Sequence, residues 1–309
     1  MLGNTILYRS TRDSAAITKE DAFGFEDAVR TGLAADGGLF VPTQVPRIFS
    51  YAENAEEWSN LKYHEVAFKV FRAFIPTEEI TDADLSAILQ KSYATFSDER
   101  VVPVVKPGNS DGSIRVLELF HGPTFAFKDV ALQALGNLFD FFLSRPQPAS
   151  SKAERSDKIA VLGATSGDTG GAAIYGLRGK RNVDVFILHP KGRISPVQEQ
   201  QMTSVLDPNV HNIAVDGATF DDCQEIVKVL MGNPEFKTKY SLAAVNSINW
   251  ARILAQTVYY FVSYLAVMKK LVWKERRMSA NSHVSTSLSQ PETLEIFSPH
   301  TTPSKWVSQ

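Results

Sequence analysis

From Arg115 onward, short β-branched runs alternate with stretches of helical periodicity, and this rhythm constrains the fold more than any other feature of the chain. It predicts strands at Arg115 to Leu119, Lys158 to Gly163, Val183 to Leu188, Val210 to Val215 and Ser241 to Val245. Between and after them it predicts helices at Phe127 to Leu143, Thr169 to Arg178, Pro196 to Met202, Phe220 to Met231 and Trp250 to about Tyr264. Such alternation implies an α/β fold, a parallel sheet with helices on both faces. Ligands of these sheets bind where strands end and helices begin, so the strand-to-helix junctions are the places to look for chemistry.

Residues 1 to 95 read as a mixed α/β N-terminal region, with a helix at Phe25 to Gly32, a turn at Asp36-Gly37-Gly38, and helical patterns in Tyr63 to Phe74 and Asp82 to Tyr93. Residues 96 to 265 carry the alternating pattern. Residues 266 to 309 differ from both: Met268 to Met278 is basic, and Ser279 to Gln309 is rich in Ser, Thr and Pro. Such a tail has too little apolar area to offset its ordering entropy and is expected to be disordered.

Composition narrows the function. Lys+Arg 32 against Asp+Glu 34 leaves no basic excess for a nucleic-acid backbone. The single Cys223 rules out an internal disulfide framework and a thiolate metal cluster, and fits a reducing, cytoplasmic setting. No apolar run reaches membrane-spanning length, and MLGNTILYRSTRD lacks the apolar core of a signal peptide. The histidines at 64, 121, 189, 211, 283 and 300 show no metal-ligand spacing, so no metal site is expected.

Three segments can carry chemistry. In Phe120-His121-Gly122-Pro123-Thr124-Phe125-Ala126-Phe127-Lys128-Asp129, Lys128 falls at a helix start, where the helix dipole and flanking aromatics disfavour an ammonium, as Schiff-base chemistry requires. An exposed Lys128 paired with Asp129 is the alternative. Gly163-Ala164-Thr165-Ser166-Gly167-Asp168-Thr169-Gly170-Gly171 joins a strand to a helix and offers backbone N–H groups and hydroxyls to an anion. It has neither the Walker lysine nor the G-x-G-x-x-G or G-x-S-x-G spacing, and a tight turn without a ligand remains open. Asn246-Ser247-Ile248-Asn249-Trp250-Ala251-Arg252 brings amides, a hydroxyl and a guanidinium to another junction; it suits an anionic substrate or simply a helix cap. Lys191 and Arg193, in the run His189-Pro190-Lys191-Gly192-Arg193, sit near a phosphate or in a solvated loop.

Together HGPTFAFKD, GATSGDTGGAA, HPKGRISPVQEQQM and VNSINWARILAQ, with YRSTR at Tyr8 to Arg12 and GLAADGGLFVP at Gly32 to Pro42, resemble the fungal-type threonine synthase family, within the tryptophan-synthase-β-like (fold type II) pyridoxal-phosphate enzymes. The resemblance runs from about Ile6 to Tyr264 and then stops. It implies pyridoxal 5'-phosphate held on Lys128, with Phe127, Asp168 and Thr169 beside the cofactor. It also implies that Thr165, Ser166, Asn246, Ser247, Asn249 and Arg252 face a small substrate, O-phospho-L-homoserine, which becomes L-threonine and phosphate. Neither a nucleic-acid nor a membrane partner is implied, and the residues carry no signal of oligomeric state. Two other readings keep the resemblance: a non-catalytic remnant, and a phospho-lyase that eliminates phosphate from phosphohomoserine or phosphothreonine.

The family's next glycine-rich loop, P-[ST]-G-N-F-G-D, wraps the cofactor phosphate and does not follow the NSINW helix here, so the chain is expected to be impaired as written. Codon arithmetic suggests why. Reading Gln290 to Gln309 from the third nucleotide of each codon admits Thr-Gly-Asn-Phe-Gly-Asp-Ile-Leu-Ala-Ala-Tyr-Tyr-Ala-Lys-Gln-Met-Gly-Leu-Pro, and Thr286 to Ser289 admits Phe-Val-Val-Pro before it. The shift is constrained: Lys305-Trp306-Val307 forces Met or Val followed by Gly. The expectation is a C-terminally truncated or frameshifted product whose frame changes between about Tyr264 and Thr286.

Overall fold

The computed structural model describes residues 6–13, 22–108, 114–145, 158–244 and 249–281. The N-terminal region contains β1 (Tyr8–Ser10), α1 (Phe25–Thr31), β2 (Phe40–Pro42), α2 (Tyr51–Trp58), α3 (Tyr63–Arg72) and α4 (Asp82–Tyr93). β1 and β2 pair antiparallel, Tyr8 opposite Pro42. α4 starts where the Thr81 hydroxyl accepts the Asp84 N–H at 3.2 Å, with Asp82 and Asp84 favourably placed in its first turn. α1 is capped from a distance: the Glu79 carboxylate accepts the N–H groups of Phe25 and Glu26 at 2.9 and 2.8 Å.

Next come β3 (Val104–Val105), β4 (Val116–Leu117), α5 (Asp129–Ser144), β5 (Ile159–Ala164), α6 (Asp168–Leu177), β6 (Val183–Pro190) and α7 (Pro196–Thr203). The described elements end with β7 (Val210–Val215), α8 (Phe220–Gly232), α9 (Pro234–Tyr240), β8 (Leu242–Ala244) and α10 (Trp250–Asn281). Four strands form a parallel sheet in the order β7-β6-β5-β8. Side-chain alternation sends Val161, Val183, Val185 and Ile187 into the large core shared with α5, α6 and α10. Leu162 and Leu188 point the other way and pack with Ala218 and Cys223, against Val227 and Leu230 of α8. Helices therefore cover both faces, as the alternating pattern predicts.

Residues 1–95 and 96–265 are not separate in packing, because one continuous core joins Tyr8, Phe25 and Phe71 to Leu135, Leu138 and Trp250. The Trp250 ring lies 6.1 Å from that of Tyr8 and 5.7 Å from that of Phe74, which seats the N-terminal region on the start of α10.

α5 and α6 approach more closely than side chains would allow. A Cβ on Gly136 would overlap the Gly176 carbonyl oxygen, and one on Gly176 would stand 2.5 Å from the Leu132 oxygen. Gly136 lies eight residues after Lys128, and Gly176 eight after Asp168. The helices run side by side in the same direction, and about 12 Å before this contact both begin at one place.

Two expectations are corrected. The strand at Arg115 to Leu119 is the short β4, paired antiparallel with β3 (Val104 opposite Leu117) and outside the parallel sheet. The helix from Trp250 does not stop near Tyr264 but continues through Asn281, because Ala, Met, Lys, Leu, Glu and Arg beyond that point are all good helix formers. It thereby enters the segment expected to be disordered; residues 282–309 lie outside the described residues. Among the described residues no helix is long and apolar enough to cross a membrane.

Candidate active site

Because β5, β6 and β8 are parallel, the turns leaving their C-terminal ends share one end of the sheet. Those turns carry the Gly163 to Gly171 and His189 to Arg193 segments, and residues 245–248, between β8 and Asn249, lie outside the described residues. The start of α5 joins them there, since the Lys128 ammonium pairs with the Asp168 carboxylate. Lys128 is the N-cap of α5 and Asp168 the first residue of α6, so the pair spans two helix starts held by the glycine contact. Lys128 Nζ also lies 5.2 Å from the Phe127 ring centroid, and that ring is exposed. The Lys128 side chain retains 19% exposure and Asp168 42%, so an amine and an acid face a place that a small molecule can reach.

Asp129 is not the partner of Lys128. Its carboxylate is fully buried and accepts the Thr124 N–H at 2.8 Å and the Thr124 hydroxyl at 2.7 Å. Burial pushes its pKa up, and these hydrogen bonds oppose the shift.

In the glycine-rich turn, Thr165 is buried, and its Oγ1 accepts the N–H groups of Gly167 and Gly170, both at 2.9 Å. That oxygen shapes the turn. Gly167 stands at φ +141°, a conformation suited to glycine, and a Cβ there would strike the Gln198 side chain from α7. Ser166 is exposed and Thr169 half-buried, so their hydroxyls are the reachable ones. Thr165→Val removes the acceptor for two buried N–H groups and is expected to cost about 2 kcal/mol, measurable as a lower urea midpoint at unchanged slope.

At the start of α10, Asn249 is buried, donates Nδ2–H to the Val29 oxygen at 2.8 Å and accepts the Ala251 N–H at 3.0 Å. It caps the helix and bolts it to α1. Arg252 is buried, and desolvation pulls its pKa down to about 10, so it is still a cation at neutral pH. Asn246 and Ser247 lie outside the described residues. Lys191 is largely exposed, 3.8 Å from Asp216, as a solvated loop lysine would be.

A strap that the sequence reading missed braces the lysine loop. Ser97 donates N–H and Oγ–H to the His121 oxygen at 2.9 and 3.2 Å, and His121 Nε2 lies 2.8 Å from Glu118 Oε2. Within the strap Val101 is held at φ +63°, strained for a β-branched residue. The Arg100 guanidinium hydrogen-bonds Asp98 and holds its carboxyl down to about 2. A depressed acid adds stability above its unfolded value and loses it as pH falls through the folded value. The advantage of the parent over Asp98→Asn is therefore expected to vanish between about pH 4 and pH 2, and to stay below about 1 kcal/mol because Arg100 is exposed. Urea unfolding across that range measures it.

Residues 7–93 match the family model described as threonine synthase N terminus. Threonine synthase of Saccharomyces cerevisiae is 53% identical over 259 residues, which is 84% of this chain and 49% of that protein. The Schizosaccharomyces pombe threonine synthase is 52% identical over 269 residues, 87% of this chain and 50% of that one. The crystal structure of the yeast enzyme matches with a TM-score of 0.76 at 51% identity, covering 85% of this chain and 50% of that one. A PLP-bound threonine synthase from Brucella melitensis matches with a TM-score of 0.74 at 44% identity, covering 85% and 52%. The chain spans about half the length of the curated relatives it matches. Over that matched part the chain is similar in sequence and in fold to threonine synthases.

Proposed function

We propose that this chain carries the N-terminal region and part of the catalytic core of a threonine synthase, a pyridoxal-phosphate-dependent lyase. Its reaction turns O-phospho-L-homoserine and water into L-threonine and phosphate: phosphate leaves from Cγ and water adds at Cβ. The observation that carries this reading is the Lys128–Asp168 pair at the joint start of α5 and α6, at the C-terminal end of a parallel sheet. The donor set suits the cofactor: a partly exposed primary amine, an aromatic ring beside it and a glycine turn. When bound, pyridoxal phosphate supplies an aldehyde for amines and a sink for the electrons of a substrate carbanion.

Lys128 is the residue that would hold the cofactor and, with its amine freed, move protons at the substrate's α and β carbons. Asp168 orients Nζ. Ser166 and Thr169 offer hydroxyls to cofactor and substrate, while Thr165 keeps the turn's shape. Arg252 supplies positive charge at the same end of the sheet, suited to a phosphate ester, and Asn246 and Ser247 complete that segment. Asn249 acts by fixing the segment in place.

The chain loaded with pyridoxal phosphate and given O-phosphohomoserine tests the reading. Threonine and phosphate in equal amounts, even at a low rate, support it; phosphate with a keto acid indicates the phospho-lyase, and no product with no absorbance band that Lys128→Ala removes indicates a remnant. The C-terminal segment beyond about Tyr264 is part of the same proposal: synonymous codons for Thr286 to Gln309 admit the family's phosphate loop in the shifted frame, and a frame change before it would account for the tail. Sequencing the transcript decides this, and a message that reads through Gln309 with no restoring splice or base overturns it.

A further inference from the structure

Among the buried acids that the mechanism leaves unused, Glu26, Asp27 and Asp129, the last is the neighbour of the reactive lysine. Asp129 is fully buried at the first position of α5, yet its carboxylate meets Thr124, five residues upstream, through both the N–H and the hydroxyl. A helix cap would send its bonds forward to the next turn. These run backward and close the loop that ends in Lys128.

Thr124 is held at a third atom, because Gln201 of α7 donates Nε2–H to its carbonyl oxygen at 3.2 Å. Between Thr124 and Lys128 the chain passes through Phe125 at φ +58°, with its ring 72% exposed. A bulky residue in the left-handed region persists only where its surroundings determine it, and this ring is not packed in place. What holds the turn is the Phe125 N–H to the Gly122 oxygen at 3.1 Å and the Asp129 bonds. Gly122 is pressed against Asp129, where a Cβ would stand 2.5 Å from Oδ2. A carboxylate with no exposed surface costs free energy unless its bonds are made, so Asp129 holds Thr124 firmly.

We propose that Asp129, acting through Thr124, is a positioning residue that fixes the loop so that Lys128 Nζ meets Asp168. The proposal rests on the reading of Lys128 as the reactive amine. Its test reads amine reactivity, which needs neither cofactor binding nor turnover. The full chain and its Thr124→Val, Thr124→Ser and Asp129→Asn variants are labelled briefly with trinitrobenzenesulfonate. The ratio of label on Lys128 to label on Lys91, an exposed lysine of α4, is then read by peptide mass spectrometry.

Thr124→Val keeps the side chain's shape and loses the hydroxyl bond. It is expected to raise the ratio about fivefold, the factor corresponding to one net hydrogen bond, as Lys128 leaves Asp168. Thr124→Ser, which restores the hydroxyl, is expected to return the ratio to the parent value. Asp129→Asn is expected to exceed Thr124→Val; if it fails to fold, the threonine pair decides alone. A Thr124→Val ratio equal to the parent's, in a folded chain with only a lower melting temperature, overturns the proposal. So does a Ser variant that behaves like Val. Reduction of the chain with excess pyridoxal phosphate that leaves Lys128 unmodified, with the ratios as expected, refutes the reading of Lys128 as the cofactor lysine and leaves the positioning intact.

Discussion

Gly136→Val is expected to lower stability by about 3 kcal/mol, or roughly 6 to 12 °C in melting temperature, because it puts a branched side chain where two helix backbones meet. Even a Cβ at this position overlaps the Gly176 carbonyl oxygen, which is backbone and cannot turn aside. The helices must separate. Since the contact lies eight residues along from Lys128 on α5 and from Asp168 on α6, the separation reaches the site as well as the core. The variant is therefore expected to raise Lys128 labelling, whereas a truncation such as Leu138→Ala, at a fully buried position of the same helix, costs about as much stability without prising α5 from α6. Thermal unfolding and labelling on the two variants separate loss of packing from loss of alignment.

Lys128→Ala is expected to abolish the visible absorbance that follows loading with pyridoxal phosphate and to cut any threonine formation about a thousandfold or more. Stability is expected to change by less than about 1 kcal/mol. Asp168 is 42% exposed, so removing its partner leaves no buried, uncompensated charge. Lys128→Arg sharpens the test: it keeps a cation for Asp168 but has no amine able to condense with an aldehyde. It is expected to fold like the parent and to bind no cofactor covalently.

Local signals were legible in the residues. Asp82 to Tyr93 and Val210 to Val215 lie where the periodicity places them, the first because Thr81 caps it. The start of α9 is also marked in the sequence, as Asn233 followed by Pro234. What could not be read locally was pairing at a distance. Nothing in Val116 and Leu117 announces Val104 and Val105 as partners, so β4 looked like the first strand of the parallel sheet. A hydroxyl in a glycine-rich turn likewise reveals its type and not its direction; Thr165 points into the turn while Ser166 lies exposed. Asp129 beside Lys128 suggested a pair, but successive residues on a helix differ by about 100° in direction, and the two carboxylates at 129 and 168 exchange the parts that adjacency gives them.

Trapping the cofactor tests the central claim most directly. The full chain is incubated with excess pyridoxal phosphate, reduced with borohydride and digested, and the label is located by mass spectrometry. The account predicts label on Lys128 well above that on the exposed Lys91 and Lys191. Label on those surface lysines with Lys128 unmodified would contradict it.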